Sequence, residues 1–221
     1  MLPGVLATLA AWCPSRPGGI EVLLVENGSS DGTPEVARAA TRDGVAGAAV
    51  RVLVLPVGDY GAAVRAGLAA STGSLVAVLD CDMVDPAFVD RSCVLLDDDA
   101  GLGGVLASKR AAGSADERSL YRRLGTLVFS SLVRAITGSS LSDTHGNKVL
   151  RGTPARERVD LVREDGSLFD TELLVRMERD GWRFAELPTT IEESRPPRSS
   201  YLSRVPGTLK GLVRLRRRLG R

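Results

Sequence analysis

The sequence predicts an α/β protein organised around a mostly parallel sheet flanked by helices. Three observations carry that expectation. Apolar, β-branched runs, "IEVLLVE" (20–26), "VRVLVLPV" (50–57) and "SLVAVLD" (74–80), read as buried strands. Stretches of helical period separate them, and strand–helix–strand alternation implies parallel strands joined by crossover helices. Each run closes on polar residues, at Glu26–Asn27, Val57–Asp59 and Asp80–Asp82. Ligands of such sheets bind beyond the carboxyl ends of the strands, so the acids stand where a site is expected.

Taken in order, the first strand runs into the turn "NGSSDGTPE" (27–35), where Thr33 is the expected N-cap, with Pro34 at the first helical position and Glu35 in the first turn. A helix follows through "EVARAATRDG" (35–44), and "YGAAVRAGLAAST" (60–72) forms another, ending near Gly73. The second half is less regular. "GVLASKR" (104–110) reads as a strand ending in two cations. "SLYRRLGTLVFSSLVRAITG" (119–138) reads as an amphipathic helix with Leu120, Leu124, Leu127, Val128 and Ile136 near one stripe. "SDTHGNKVLR" (142–151) is a loop entering a short strand, and "LFDTELLVRMERDG" (168–181) a helix closed by Gly181. "WRFAELPTTIEE" (182–193) is a strand, and the tail from 208 a short helix with Leu209, Leu212, Val213 and Leu219 on one side. There is no internal repeat, which points to one domain, 1–195, with a C-terminal extension over 196–221.

The 221 residues are 43% apolar and 25% charged, ordinary for a globular chain with a full core. Only 4% are aromatic, which argues against a stacking platform for single-stranded nucleic acid. A net charge of +2 conceals an asymmetry. Nine Lys or Arg and no acid lie between Arg195 and Arg221, leaving an acidic body and a tail suited to phosphates or an anionic membrane surface. Cys13, Cys81 and Cys93 show neither paired nor metal-binding spacing, so a reducing cytoplasm is expected. No run reaches the roughly 18 apolar residues of a spanning helix.

The chemistry centres on "LVAVLDCDMVDP" (75–86). On an extended segment Asp80 and Asp82 point to one side and Cys81 to the other, into the core. Two adjacent carboxylates resist joint ionisation unless a cation neutralises them. Their hard oxygens suit Mg²⁺ or Mn²⁺, ions that share their shell with substrate phosphates. His145 is the single histidine and reads as a loop hydrogen-bonder. Asp143 either orients an acceptor or caps a turn, Glu172 falls where a solvated helix face is one reading, and Asp170 is a candidate N-cap. "ENGSSDG" (26–32) lacks both the P-loop and the dinucleotide glycine patterns.

"VENGSSDGTPEVA", "YGAAVRAGLAASTGSLVAVLDCDMVDP", "ASKR", "SDTHGNKVLR" and "LFDTELLVRMERDGWRFAELP" occur in this order. Together they resemble the family 2 glycosyltransferases of GT-A (Rossmann-like) fold, in particular the dolichyl- and polyprenyl-phosphate hexose (glucose or mannose) synthases. The resemblance covers residues 1–195. Relatives open on a further strand; the resemblance implies that this sequence begins in the helix that follows it, so a GT-A sheet lacking the usual first strand is expected.

The resemblance implies a UDP- or GDP-hexose donor bound by Glu26, Asn27, Gly28, Ser29, Gly61, Arg65 and Asp80, with Mg²⁺ or Mn²⁺ on Asp80 and Asp82. It implies catalytic roles for Asp82, Arg110 and Arg195, and an acceptor phosphate met by Lys109, Arg118, Arg122 and Arg123, and it suggests, against the solvated-face reading, that Glu172 reaches the site. A polyprenyl phosphate would attack the anomeric carbon directly, and an already ionised nucleophile needs no strong protein base. The implied setting is the cytoplasmic face of a membrane, with no nucleic-acid partner. Two other readings remain: a GT-A-like module that binds without catalysis, and a glycosyltransferase with a non-lipid acceptor.

Overall fold

The computed structural model describes residues 1–16, 18–109, 111, 115–116, 120–191 and 201–219. Helix α1 (Leu2–Trp12), with Pro3 in its first turn, and a 3-10 turn over Cys13–Ser15 lead into strand β1 (Glu21–Asn27). Helix α2 (Thr33–Asp43) crosses to β2 (Ala49–Leu55), which pairs in parallel with β1 from Glu21↔Ala49 to Asn27↔Leu55. Its N-cap is Gly32 rather than the expected Thr33, because Asp31 turns the chain one residue earlier by accepting the Thr33 N–H at 2.9 Å. Helix α3 (Tyr60–Ala70) is capped by Asp59, whose carboxylate accepts the Ala62 N–H at 2.7 Å. Then come β3 (Leu75–Val78) and α4 (Pro86–Asp98), the latter capped by Asp85 with Pro86 at its start.

β4 (Leu102–Ser108), buried along its whole length, is followed by the short β5 (Ala115–Asp116) and by α5 (Leu120–Thr137). β6 (Lys148–Arg151) and α6 (Gly152–Val159) precede α7 (Leu168–Arg179), β7 (Arg183–Pro188), β8 (Thr190–Ile191) and α8 (Tyr201–Leu219).

The main sheet has the order β3-β6-β4-β7; β1-β2 and β5-β8 form two-stranded parallel ladders. β4 and β7 are parallel, whereas β6 runs antiparallel to both β3 and β4. The chain that leaves the carboxyl end of β4 returns to that same end before entering β6. The reversal sets Lys148 opposite both Val78 and Leu106, beside the acidic end of β3. Among the described residues, β1 has β2 as its one strand neighbour and β3 has β6.

Helices cover both faces of the main sheet. Leu68 of α3 and Phe169, Leu173, Leu174 and Met177 of α7 bury against Leu106 and Leu150. On the opposite face Phe88, Val89 and Leu96 of α4 pack on Val105 and Val149. Leu9, Ala40, Val22 and Val50 join α1 and α2 to the β1–β2 ladder. Each such fully buried large side chain contributes about 1.5–3 kcal/mol of transfer free energy.

The C-terminal helix docks on the body. Leu212 and Leu215, both 0% exposed, pack against Val133 of α5 and Leu168 of α7. Glu164 accepts hydrogen bonds from Arg214 and Arg218 at 2.7–3.1 Å. Leu209 and Val213, expected beside Leu212, are exposed instead, as are Leu127 and Val128 of α5. The buried stripe falls one step around the helix because α5 and α7 approach it there. Among the described residues, no helix is long and apolar enough to cross a membrane.

Candidate active site

Strand β3 stops at Val78, and Asp80–Met83 form a turn in which Met83 N–H donates to the Asp80 carbonyl at 2.9 Å. Asp80 and Asp82 therefore share a turn, not one face of an extended strand. Cys81, expected in the core, is exposed for the same reason. Asp80 is half-buried and Asp82 exposed. A cleft lined by Met1, Gly4, Val5, Thr8, Cys81, Asp82 and Val84 opens between this turn and the start of α1.

Desolvation raises the Asp80 pKa; Asp82 and Asp170 push it the same way, while Lys148 and Lys109 oppose them. A cation beside the turn would relieve both repulsions. Among the described residues no group of three or more His, Cys, Asp or Glu is placed to hold a metal. Two carboxylates leave most of a coordination shell to water and ligand oxygens, which is how Mg²⁺-type ions bind when they bridge phosphates. The residues present fit such an ion.

Beneath the turn lies a buried polar frame. Lys148, 1% exposed, pairs with Asp170, 0% exposed, at 2.8 Å. Tyr60 donates its hydroxyl to the same Asp170 oxygen at 2.7 Å, and burial beside that carboxylate drives the phenol pKa upward. Lys109 stands 3.5 Å from Asp143, which also accepts the His145 N–H at 3.1 Å. Asp143 thus shapes a turn, one of the two roles open to it, and it also pairs with a cation. His145 packs edge-on against Phe129, with ring centroids 5.1 Å apart, and desolvation lowers its pKa.

The loop after β1 is fixed by its own polar groups. Glu26 is buried and accepts the Ser29 N–H at 2.5 Å; the hydrogen bonds from Ser29 hold its carboxyl below the usual range. Asn27 accepts the Asp59 N–H at 2.8 Å, tying the ends of β1 and β2 together. Gly28 has φ +67°, and a Cβ there would meet Gly58 N at 2.7 Å, so both conformation and space require glycine.

Of the other residues expected at the site, Gly61 is buried, and a Cβ on it would lie 2.7 Å from Gly166 N. Arg65 donates to the carbonyls of Val159 and Val162 at 2.7 and 3.0 Å and stacks 5.0 Å over Phe169. Both bind α3 to the end of α6 and the segment after it. Arg122 and Arg123 lie in the first turn of α5, but their side chains are outside the described residues, as are Arg110, Arg118 and Arg195 altogether.

Glu172 neither reaches the site nor faces solvent. Fully buried, it accepts the Arg163 and Glu164 N–H groups at 2.9 and 2.8 Å and a two-pronged contact from Arg176. Asp170 lies inside α7, whose N-cap is Ser167. Its pairing with Lys148 was missed in the sequence. The signal in the sequence was a lysine opening the short strand KVLR (148–151) directly before two apolar residues, since a lysine drawn into a core needs a buried anion.

The family model described as Glycosyl transferase family 2 matches residues 1–153. An uncharacterized glycosyltransferase of Mycobacterium tuberculosis (strain ATCC 25618 / H37Rv) is 32% identical over 213 residues, 96% of this chain and 87% of that protein. An undecaprenyl-phosphate 4-deoxy-4-formamido-L-arabinose transferase of Sodalis glossinidius is 29% identical over 145 residues, 64% of this chain and 42% of that protein. In fold, the chain is similar to glucosyl-3-phosphoglycerate synthase from Mycobacterium tuberculosis in complex with phosphoglyceric acid. The TM-score is 0.66 at 20% identity, over 98% of this chain and 75% of that one.

Proposed function

Because the chain belongs to glycosyl transferase family 2, we propose that it moves a hexose from a UDP- or GDP-sugar to a polyprenyl phosphate in one metal-dependent displacement. The observation that carries the donor half is the acidic turn at the carboxyl end of β3, with Asp82 exposed to the cleft and Asp80 set behind it. Solved structures of similar fold hold Mn²⁺ with UDP-glucose or with GDP-mannose, which supports a metal here. Mg²⁺ or Mn²⁺ on these carboxylates would offset the charge of the departing nucleoside diphosphate.

The protein's own groups would do the rest. Asp80 and Asp82 would hold the ion, and with it the diphosphate, at the carboxyl end of β3. Glu26, through its hydrogen bond from Ser29, keeps the loop after β1 in place, and Lys109 adds positive charge near Asp80. For the acceptor, α8 presents exposed Lys210, Arg216 and Arg217 together with Leu209 and Val213. Cations beside apolar side chains suit an anionic lipid surface, where each Lys or Arg contributes about 1 kcal/mol. The undecaprenyl-phosphate transferase of partial similarity supports the same acceptor class. The enzyme would then work on the cytoplasmic face of the membrane without crossing it.

The test supplies radiolabelled UDP-glucose or GDP-mannose, undecaprenyl phosphate and Mn²⁺. Label is expected in the organic extract, absent with chelator and absent for Asp82→Ala. Label in a water-soluble product would replace the lipid with another acceptor, and no transfer to any acceptor would leave a binding module.

A further inference from the structure

Asn147 is 3% exposed and sits one residue before β6, where Ala107 N–H donates to its carbonyl at 2.9 Å and fixes its backbone on β4. Its side chain spans the acidic turn. Oδ1 accepts the Asp80 N–H at 3.0 Å, and Nδ2 donates to the Met83 carbonyl. The remaining end groups pair with each other, since Met83 N–H donates to the Asp80 carbonyl. One planar amide thereby satisfies both outward-facing groups of the turn, where the β3–β6 ladder has ended at Val78↔Lys148.

We propose that Asn147 is a positioning residue that sets the spacing of Asp80 and Asp82 for a divalent ion. The inference rests on the reading that these two carboxylates hold the ion. Few side chains offer an acceptor and a donor side by side. An ionised Asp has no donor for the Met83 carbonyl, and Leu, similar in shape, has neither group. Without the amide, the Asp80 N–H and the Met83 carbonyl, both in half-buried residues, lose their partners and the turn is free to open. The two carboxylates would then meet the ion from a wider range of geometries, which weakens chelation rather than the chemical step. Groups that orient metal ligands are worth about 10- to 100-fold in metal affinity.

The test measures free Mn²⁺ by electron paramagnetic resonance in the presence of UDP, for the full chain and for Asn147→Asp, Asn147→Leu and Asp82→Ala. A melting curve of each variant establishes how much is folded. For the folded fraction of the Asn147 variants, Mn²⁺ dissociation constants are expected to rise by about 10-fold or more. The Mn²⁺ concentration giving half-maximal transfer should rise equally, with the rate at saturating Mn²⁺ largely restored. Unchanged Mn²⁺ affinity, with only a lowered melting temperature, would overturn the positioning role. If the unaltered protein and Asp82→Ala bind Mn²⁺ alike, the metal reading itself falls and this inference with it.

Discussion

Lys148 and Asp170 meet at 2.8 Å with both side chains at most 1% exposed, directly beneath the turn that carries Asp80. Strand β6 supplies the lysine because it runs antiparallel between β3 and β4, and α7 supplies the carboxylate. Breaking such a pair leaves an uncompensated buried charge. Lys148→Met is therefore expected to destabilise the protein by about 3–5 kcal/mol, whereas Lys148→Met with Asp170→Leu should recover much of the loss. Urea unfolding of the three variants checks this; a double variant no better than the single would show that the pair is not the source.

Gly61→Ala sets two effects against each other. Alanine is favoured over glycine within a helix by about 1 kcal/mol. Here the new methyl would sit 2.7 Å from Gly166 N and 2.9 Å from both Gly166 O and Phe169 Cβ. Backbone atoms cannot swing aside, so overpacking wins, with a net cost of about 1–3 kcal/mol. Thermal melts should show a lower midpoint; a rise would mean that α3 and the Gly166 loop separate freely.

The acidic turn predicts a pH effect of definite sign. Desolvation, then Asp82 and Asp170, raise the Asp80 pKa against the pull of Lys148 and Lys109. Without metal, the folded state holds the Asp80 proton more tightly than the unfolded chain does. Stability from this group thus falls as pH rises from the unfolded value of about 4 through the raised folded one. An ion competes with that proton, so the Mn²⁺-induced gain in melting temperature should grow as pH rises across the same window. A gain that is flat from pH 4 to 7 would show that Asp80 does not carry the ion.

Membrane docking by α8 predicts a graded electrostatic response. Replacing Lys210, Arg216 and Arg217 by Gln removes three exposed cations while keeping Leu212, Leu215 and the Glu164 clamp. Binding to vesicles rich in anionic lipid should weaken by about 1 kcal/mol per cation, on the order of 100-fold in total, and fall with added salt. Equal binding to neutral and anionic vesicles would rule out this face as the docking surface.

The α/β alternation was legible because strands and their crossover helices carry different periods, as in β1–α2–β2 and in α7. The acid pair at the carboxyl end of β3 was legible for the same reason: ligand sites gather there. What escaped the sequence depended on tertiary approach. Nothing local distinguishes Cys81 in a strand from Cys81 in a turn until Asn147 holds the turn's two ends. Likewise Glu172 reads as a surface acid on its helix, yet it satisfies two backbone N–H groups of the segment before α7. Leu209 and Leu212 look equivalent along α8, and only the approach of α5 and α7 decides which is buried.

β4 lies between β6 and β7 and is hydrogen-bonded along both flanks, whereas β1 and β3 each have one strand neighbour among the described residues. Open flanks are templates for further strand pairing. In deuterium exchange this contrast should appear as an uneven sheet, slow along β4 and faster on alternate amides of β1 and β3. The same flanks are where concentrated protein would first stick to itself.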